Sequence, residues 1–247
     1  MPYRKLCVCE YDGTNYCGWQ IQDEGVTIQG EIERVLSQLY GGQRVAIIGS
    51  GRTDSGVHAL GQVFHYTADI YRENHSVLFA LNTMLSRDIG VLDVRDVPLD
   101  FHAQLSAVSK TYKYVILNRR TRAALDTNRA WYRRDRLDVE YIANLLKLIE
   151  GNHDFTSFCV KSSVKEECVR LINWTSAERN GDYINIKINA NGFLHNMVRI
   201  IVGTAVQFAV EKRTPSDILD IIAAKARRSA GITAPPQGLY LERVHYE

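Results

Sequence analysis

Residues 183–189 of this chain alternate cleanly between apolar and polar side chains, in the order Tyr-Ile-Asn-Ile-Lys-Ile-Asn. A repeat of two predicts a β-strand with one face buried against another layer. Residues 174–178 lie before this strand and are followed by Gly181-Asp182, so we expect a hairpin with its turn there. The order Asn180-Gly181 fits the usual two-residue turn better. The chain must therefore also supply elements that cover one face of a sheet.

Helical and extended patterns mix along the rest of the chain. Thr27 can cap a helix whose apolar residues, between Ile28 and Leu39, follow helical spacing. The sequence also predicts strands at residues 4–11, 45–48, 63–66, 90–97, 111–117 and 239–245, and helices at residues 77–85, 139–149, 193–210 and 218–226. Since strict βαβ alternation is missing, we expect an α+β fold with an antiparallel or mixed sheet. A break near residues 100–110 predicts two domains, residues 1–105 and 106–247.

Composition excludes several classes of protein. The chain has 247 residues, of which 45% are hydrophobic, and it has no apolar run near the roughly 20 residues that span a bilayer. Its first residues do not follow a signal-peptide pattern, so we expect a cytoplasmic protein with no membrane segment. The five cysteines form no CxxC pair and no zinc-finger spacing. We therefore interpret them as reduced structural thiols and expect no metal site.

The net charge of +2 conceals an uneven distribution of charge. Residues 1–100 carry 8 basic and 13 acidic side chains, whereas residues 110–136 carry nine basic and two acidic ones. Such a run is commonly a solvated face, but here Tyr112, Tyr114, Trp131 and Tyr132 interleave with the positive charges. Because bases stack on aromatic rings and phosphates pair with Arg and Lys, the mixture also favours a nucleic-acid partner.

A glycine-rich loop follows the predicted strand at residues 45–48. Residues 49–56 contain three glycines but match neither a dinucleotide fingerprint nor a phosphate-binding P-loop. What remains is Asp54 two residues after Arg52, whose guanidinium favours the ionised acid. Such a carboxylate can attack an electrophilic carbon or take a proton, or it can simply bond backbone amides in a turn. We interpret His58 and His65 as hydrogen-bonded structural groups, although both could titrate near neutral pH.

Residues 51–59, Gly-Arg-Thr-Asp-Ser-Gly-Val-His-Ala, resemble the signature loop of the tRNA pseudouridine synthases of the TruA type. Further segments resemble the motifs of that family in the family's order: residues 10–13 and 18–20, 101–103 and 110–114, 154–158 and 191–199, and 234–241. The resemblance extends over essentially the whole chain. It implies two RNA-recognition-like, ferredoxin-like α+β halves joined in one mixed, mainly antiparallel sheet flanked by helices.

The resemblance also implies roles for individual residues. Asp54 corresponds to the nucleophile or acid–base residue that converts uridine to pseudouridine in tRNA, a reaction that requires no cofactor or metal. Arg52 corresponds to an active-site arginine that contacts phosphate. Tyr112 corresponds to the tyrosine that packs against the target base, although packing in a strand would equally account for an aromatic residue there. Arg199 resembles the arginine that pairs with the catalytic aspartate, and Leu239 the apolar residue beneath the site.

The substrate implied by the resemblance is the anticodon stem-loop of tRNA, at positions 38, 39 and 40, bound by a homodimer. A uridine within a stem must be flipped out before it can react. We expect Lys110, Arg119, Arg120 and Arg122 to contact the RNA backbone. Two other classes remain open: a tRNA-binding protein without activity, and a glycosidase-like hydrolase that releases free uracil.

Overall fold

A computed structural model describes residues 2–160 and 168–247, and the chain divides into two compact units. The first unit consists of Met1–Val108 and Tyr240–Glu247, and the second of Ser109–Leu239. The division after residue 108 lies close to the predicted break, but the predicted domain 106–247 includes residues 240–247, which belong to the first unit. No helix in the described part of the chain is long and apolar enough to cross a membrane.

The first unit has the βαββαβ order of a ferredoxin-like fold. Its elements are β1 (Tyr3–Tyr11), α1 (Ile28–Leu39), β2 (Ile47–Gly49), β3 (His58–Ala68), α2 (Asn74–Met84) and β4 (Ile89–Val97). β1 lies between β4 and β3 and is antiparallel to both, and β2 pairs with the other side of β3. β10 (Leu239–His245) adds a parallel strand to β3, because Tyr240 and Leu241 pair with His58 and Ala59. This pairing places residues 240–247 in the first unit.

Local sequence explains the first helix of this unit. The Thr27 side chain accepts a hydrogen bond from the backbone N–H of Gly30, as the capping prediction requires. Ile28, Ile32 and Leu36 lie on the buried face of α1 and are fully buried. The helix therefore begins and packs as its sequence predicts.

The second unit repeats most of this pattern. Its elements are β5 (Ser109–Asn118), β6 (Trp131–Arg133), α3 (Val139–Lys147), β7 (Gly151–Asp154), β8 (Val169–Asn180), β9 (Tyr183–Ala190), α4 (Met197–Glu211) and α5 (Asp217–Ala224). The sheet order β5-β9-β8 matches β1-β3-β2 of the first unit, and β7 extends it beyond β8. All these pairs are antiparallel, whereas β6 pairs with β5 in parallel. The predicted α+β class with mainly antiparallel strands and flanking helices is confirmed.

The hairpin predicted at Gly181-Asp182 is confirmed, but two local details differ from the prediction. Asn180 pairs with Tyr183, so the two-residue turn is Gly181-Asp182 and not the alternative Asn180-Gly181. Only Gly181 of these two residues has a positive φ, +58°, which fits a type II′ turn with glycine at its first position. The helix predicted from residue 193 begins at Met197, because Asn196 has a left-handed conformation, φ +61°, that a right-handed helix cannot include.

Candidate active site

The predicted site residues are distributed over both units. Arg52 and Asp54 lie in the first unit, on the loop at residues 49–57 between β2 and β3, which we call the aspartate loop. The other predicted residues lie in the second unit: Lys110, Tyr112, Arg119, Arg120, Arg122, Arg199 and Leu239.

The first part of the aspartate loop is fixed to β3. The backbone N–H of Ser50 donates to the Val63 carbonyl at 2.7 Å, which continues the pairing of β2 with β3. The fully buried Gln62 side chain accepts from the Ser50 hydroxyl at 2.8 Å and donates to the Gly51 carbonyl at 2.9 Å. The two residues that precede Arg52 are therefore held by both backbone and side-chain hydrogen bonds.

The next part of the loop is fixed to the segment after β1. The Thr53 carbonyl accepts from the backbone N–H of Trp19 at 3.1 Å, and the buried Thr53 hydroxyl lies 2.8 Å from the Tyr11 hydroxyl. Gly18 approaches so closely that a Cβ there would lie 2.6 Å from the Thr53 carbonyl oxygen. The motif segments at residues 10–13 and 18–20, which the sequence analysis singled out, thus support Thr53, the residue next to Asp54.

Asp54 begins a turn that ends at Val57. The Val57 N–H donates to the main-chain carbonyl of Asp54 at 3.1 Å, and Gly56 supplies the positive φ, +74°, that the third position of a type II turn requires. The Val57 amide thus bonds the backbone carbonyl of Asp54. Asp54 is partly exposed and Arg52 is exposed, so both side chains stand on a loop whose neighbouring residues are held in place.

The two histidines near this loop are structural. His58 is buried, its Nδ1 accepts from the Gly13 N–H at 3.1 Å, and its ring stacks on Tyr240 at 4.7 Å. His65 is also buried and its Nδ1 accepts from the Ala103 N–H. Burial, assisted by nearby cationic groups, lowers the pKa of His65 to about 4, so this ring is neutral near pH 7.

In the second unit, Tyr112 lies on β5 and is only 8% exposed. Its ring meets Phe193 edge to face, with ring centroids 4.9 Å apart. Lys110, two residues earlier, is half-buried, and burial lowers its pKa. The ring beside Tyr112, that of Phe193, belongs to residues 191–199, which the sequence analysis also singled out as a motif.

Arg199 projects from the first turn of α4 and binds two polar groups. Its Nε donates to the Ala234 carbonyl at 2.8 Å, and its Nη1 donates to the Asn196 side-chain carbonyl at 2.6 Å. The Tyr114 hydroxyl donates to the next carbonyl, that of Pro235, at 2.7 Å. Two predicted motifs thus hold the segment at residues 234–238, directly before Leu239, which is itself buried.

The aromatic residues of the basic stretch are mostly core residues. Tyr114 is fully buried, and its ring meets the buried ring of Trp131 edge to face at 6.1 Å. Burial raises the pKa of Tyr114, and the positive charge of Arg199 opposes this. These two rings therefore pack against each other, which accounts for both aromatics of the basic stretch without a nucleic-acid base.

The basic residues differ in their surroundings. Arg120 and Arg122 are exposed, as a contact with RNA requires. Arg119 donates to the carbonyls of Thr121 and Arg122 and lies 3.5 Å from a carboxylate oxygen of Asp182. Arg119 thus also stabilises the loop at residues 119–130, which we call the basic loop.

The sequence did not indicate a role for Gln62. Its only signal is a polar residue directly before the apolar strand pattern at residues 63–66. Gln62 is fully buried, and a buried amide requires partners. The need for partners follows from the burial of the amide, but the sequence does not show which residues these partners are.

Comparison with known proteins places the chain in a family. A model of the tRNA pseudouridine synthase family matches residues 8–105 and 145–247. The chain is 42% identical to tRNA pseudouridine synthase A of Thermoanaerobacter sp. (strain X514), over 98% of each chain. It is 44% identical to tRNA pseudouridine synthase A of Caldicellulosiruptor bescii, over 98% of each, and 41% identical to that of Geobacillus kaustophilus, over 100% of this chain and 96% of the relative. The chain therefore belongs to the tRNA pseudouridine synthase family.

Proposed function

We propose that this protein converts uridine to pseudouridine at positions 38, 39 and 40 in the anticodon arm of tRNA, with Asp54 as the nucleophile or acid–base residue. Its family makes the protein an isomerase that acts on tRNA. The single observation that carries the role of Asp54 is its position on a loop with a fixed backbone. Hydrogen bonds hold this backbone on both sides of Arg52, and the Asp54 carbonyl closes the following turn.

The reaction breaks the bond between N1 of uracil and C1′ of ribose, turns the base while it stays bound, and joins C5 to C1′. Atoms and electrons balance within the nucleotide, so one carboxylate is chemically sufficient. Asp54 can add to C1′, add to C6 of the base, or remove the 2′ proton. Each route requires an ionised carboxylate at a fixed position.

We assign the substrate-binding roles to Arg52, Tyr112, Arg199 and Leu239. Arg52 is exposed two residues before Asp54, where its guanidinium can contact a phosphate and help to splay the nucleotide. The ring of Tyr112, supported by Phe193, can stack on uracil. Arg199 binds the carbonyl of Ala234, and Leu239 supplies an apolar surface.

The basic loop supports a role in binding the RNA backbone. Arg120 and Arg122 are exposed and belong to a stretch with nine basic and two acidic side chains, which attracts phosphate at long range. Arg119 and Lys110, which are less exposed, complete the proposed set. We further propose that the protein is a cytoplasmic homodimer that binds the anticodon stem-loop of tRNA.

Asp54→Asn tests this function. The substitution keeps the size of the side chain but removes its charge, so we expect pseudouridine formation to fall by at least about 10³-fold with tRNA affinity retained. Asp23→Asn, at an exposed acid in the same unit, should keep the rate of the unsubstituted protein. The measurement is pseudouridine mapped in unmodified tRNA after incubation with each purified protein.

Four results would contradict the proposal. Pseudouridine formation that persists in Asp54→Asn would exclude the role of Asp54. An unsubstituted protein that binds tRNA and forms no pseudouridine would be a binding protein without activity. Free uracil as the product would identify a hydrolase, and pseudouridine outside positions 38–40 would change the assigned substrate positions.

A further inference from the structure

A buried side chain amide ties the beginning of the aspartate loop to β3. Gln62 is completely buried, and its side chain forms hydrogen bonds with the consecutive residues Ser50 and Gly51. Its Oε1 accepts from the Ser50 hydroxyl at 2.8 Å and from the Val63 N–H at 3.2 Å, and its Nε2 donates to the Gly51 carbonyl at 2.9 Å. A side chain that both donates and accepts is required to make this set of bonds.

A second group reaches the same point from the end of the chain. The Tyr246 hydroxyl donates to the Ala103 carbonyl at 2.6 Å and lies beside the Ser50 side chain. Ser50 thus donates its hydroxyl proton to Gln62 and has Tyr246 as a second neighbour. Ala103 belongs to the motif at residues 101–103 that the sequence singled out.

Support on the other side of Arg52 has a different origin. Thr53 is held by the backbone of Trp19 and by the hydroxyl of Tyr11. Between the two supports only Arg52 is exposed, and Asp54 follows Thr53 directly. Loss of the Gln62 amide would leave the Ser50 hydroxyl and the Gly51 carbonyl without this partner, so that the Ser50–Val63 backbone bond would hold the loop where Arg52 begins.

We infer that Gln62 is a positioning residue for the reaction: its amide fixes Ser50 and Gly51 so that Arg52 and Asp54 meet the nucleotide in the reactive geometry. The inference rests on the proposed function of Asp54. Displacement of a reacting group by about 1 Å can lower a rate on the order of 100-fold. A purely structural Gln62 would instead affect the stability of the unit and leave the chemical step unchanged.

Gln62→Leu and Gln62→Glu separate these two roles. Leucine removes every hydrogen bond of the amide, so we expect the single-turnover rate at saturating enzyme to fall on the order of 10- to 100-fold. The Kd for tRNA should stay within about twofold, because Gln62 is buried and contributes no charge to RNA binding. Gln29→Leu is the matched control: Gln29 is also buried in this unit, but its amide bonds Glu33, the Ile47 carbonyl and the Ile21 N–H instead of the aspartate loop.

Gln62→Glu adds a pH signature. A carboxylate can accept from Ser50 but cannot donate to the Gly51 carbonyl, whereas the protonated acid can do both. The rate of Gln62→Glu relative to the unsubstituted protein should therefore rise as the pH falls from about 8.5 to about 5.5, since burial favours the neutral acid. A role limited to stability predicts no such recovery in the chemical step of the folded protein.

The outcomes decide the inference. It is supported by a rate loss in Gln62→Leu that Gln29→Leu does not show, together with recovery of Gln62→Glu at low pH. It is overturned when folded Gln62 variants keep the full rate, when Gln29→Leu loses as much, or when the relative rate of Gln62→Glu is flat with pH. If Gln62→Leu does not fold, Gln62→Glu decides alone. Failure of the proposed function is distinguishable, because it would appear as no pseudouridine from the unsubstituted protein or as full activity of Asp54→Asn, and neither result involves Gln62.

Discussion

The aspartate loop and the basic loop carry most of the predicted functional charges, yet the structure holds them in different ways. The aspartate loop is bonded to residues far away in the sequence, including Tyr11 and Gln62. In the basic loop, Arg119 and Thr127 bond to carbonyls two or three residues away, and Leu125 is 94% exposed. Two contacts of the basic loop are long-range: the Tyr183 hydroxyl donates to Asp126, and Arg119 pairs with Asp182.

The difference follows from what each loop has to do. Bond rearrangement at a single carbon requires a carboxylate within a fraction of an ångström of its target. Contact with a phosphate chain depends mainly on charge and tolerates many arrangements. Substitutions in and around the aspartate loop should therefore change the rate, and substitutions in the basic loop should change affinity and its dependence on salt.

Among the substitutions that compare the two loops, Gly18→Ala should have the largest effect. Gly18 has φ +88°, and a Cβ there would lie 2.6 Å from the Thr53 carbonyl oxygen, so the added methyl group must displace the residue next to Asp54. We expect the single-turnover rate to fall on the order of 100-fold. Gly41→Ala is the control, because Gly41 has a similar φ, +77°, with no atom within 4 Å. Equal rates in the two variants would refute the proposed rigidity of the aspartate loop.

Arg199→Ala and Tyr114→Phe test whether Arg199 acts beyond the segment at residues 234–238. Each variant removes one hydrogen bond to neighbouring carbonyls, those of Ala234 and Pro235. If the guanidinium serves the reaction, Arg199→Ala should lower the single-turnover rate about tenfold more than Tyr114→Phe, with a smaller change in tRNA affinity. Equal losses would indicate a role limited to holding that segment, and a pure loss of affinity would indicate a phosphate contact.

Neutralising the basic loop should affect binding. The double substitution Arg120→Gln/Arg122→Gln should weaken tRNA binding about tenfold at moderate salt and reduce the slope of log K against log salt by about 1.5. The rate at saturating enzyme should not change. The control is Arg34→Gln/Arg95→Gln, which removes two exposed charges from the first unit. An unchanged slope in the basic-loop variant would show that these arginines do not contact RNA.

The smallest effect is expected from Arg119→Gln, measured by thermal unfolding. Arg119 has an ion pair with Asp182 in which both side chains are at least 35% exposed, and such a pair contributes little. Loss of the pair and of the bonds to Thr121 and Arg122 should lower the free energy of unfolding by about 1 kcal/mol or less. A loss above about 2 kcal/mol would show that the basic loop is more strongly anchored than its contacts indicate.

Local patterns predicted the elements that local forces specify. The cap at Thr27 and the apolar positions Ile28, Ile32 and Leu36 predict α1, because helical hydrogen bonds and one buried face are encoded within a dozen residues. The predicted start of α4 was too early, because Phe193 and Leu194 extend the apolar composition before Asn196, whose left-handed conformation excludes it from the helix. The burial of Tyr114 and Trp131 was not predicted either, because burial depends on the elements that pack on β5 and β6.

The sequence by itself determined the α+β class, the family and the types of most elements, although it indicated neither β6 nor β7. It also singled out the loop that carries Asp54. Only the tertiary structure decided that residues 240–247 belong to the first unit, that Tyr114 and Trp131 lie in the core, and that Gln62 and Tyr11 support the aspartate loop. The physical reason is sequence distance. A helix or strand is specified by neighbours a few residues apart, whereas Tyr11 and Thr53 are 42 residues apart and meet only when β1 and β3 pair.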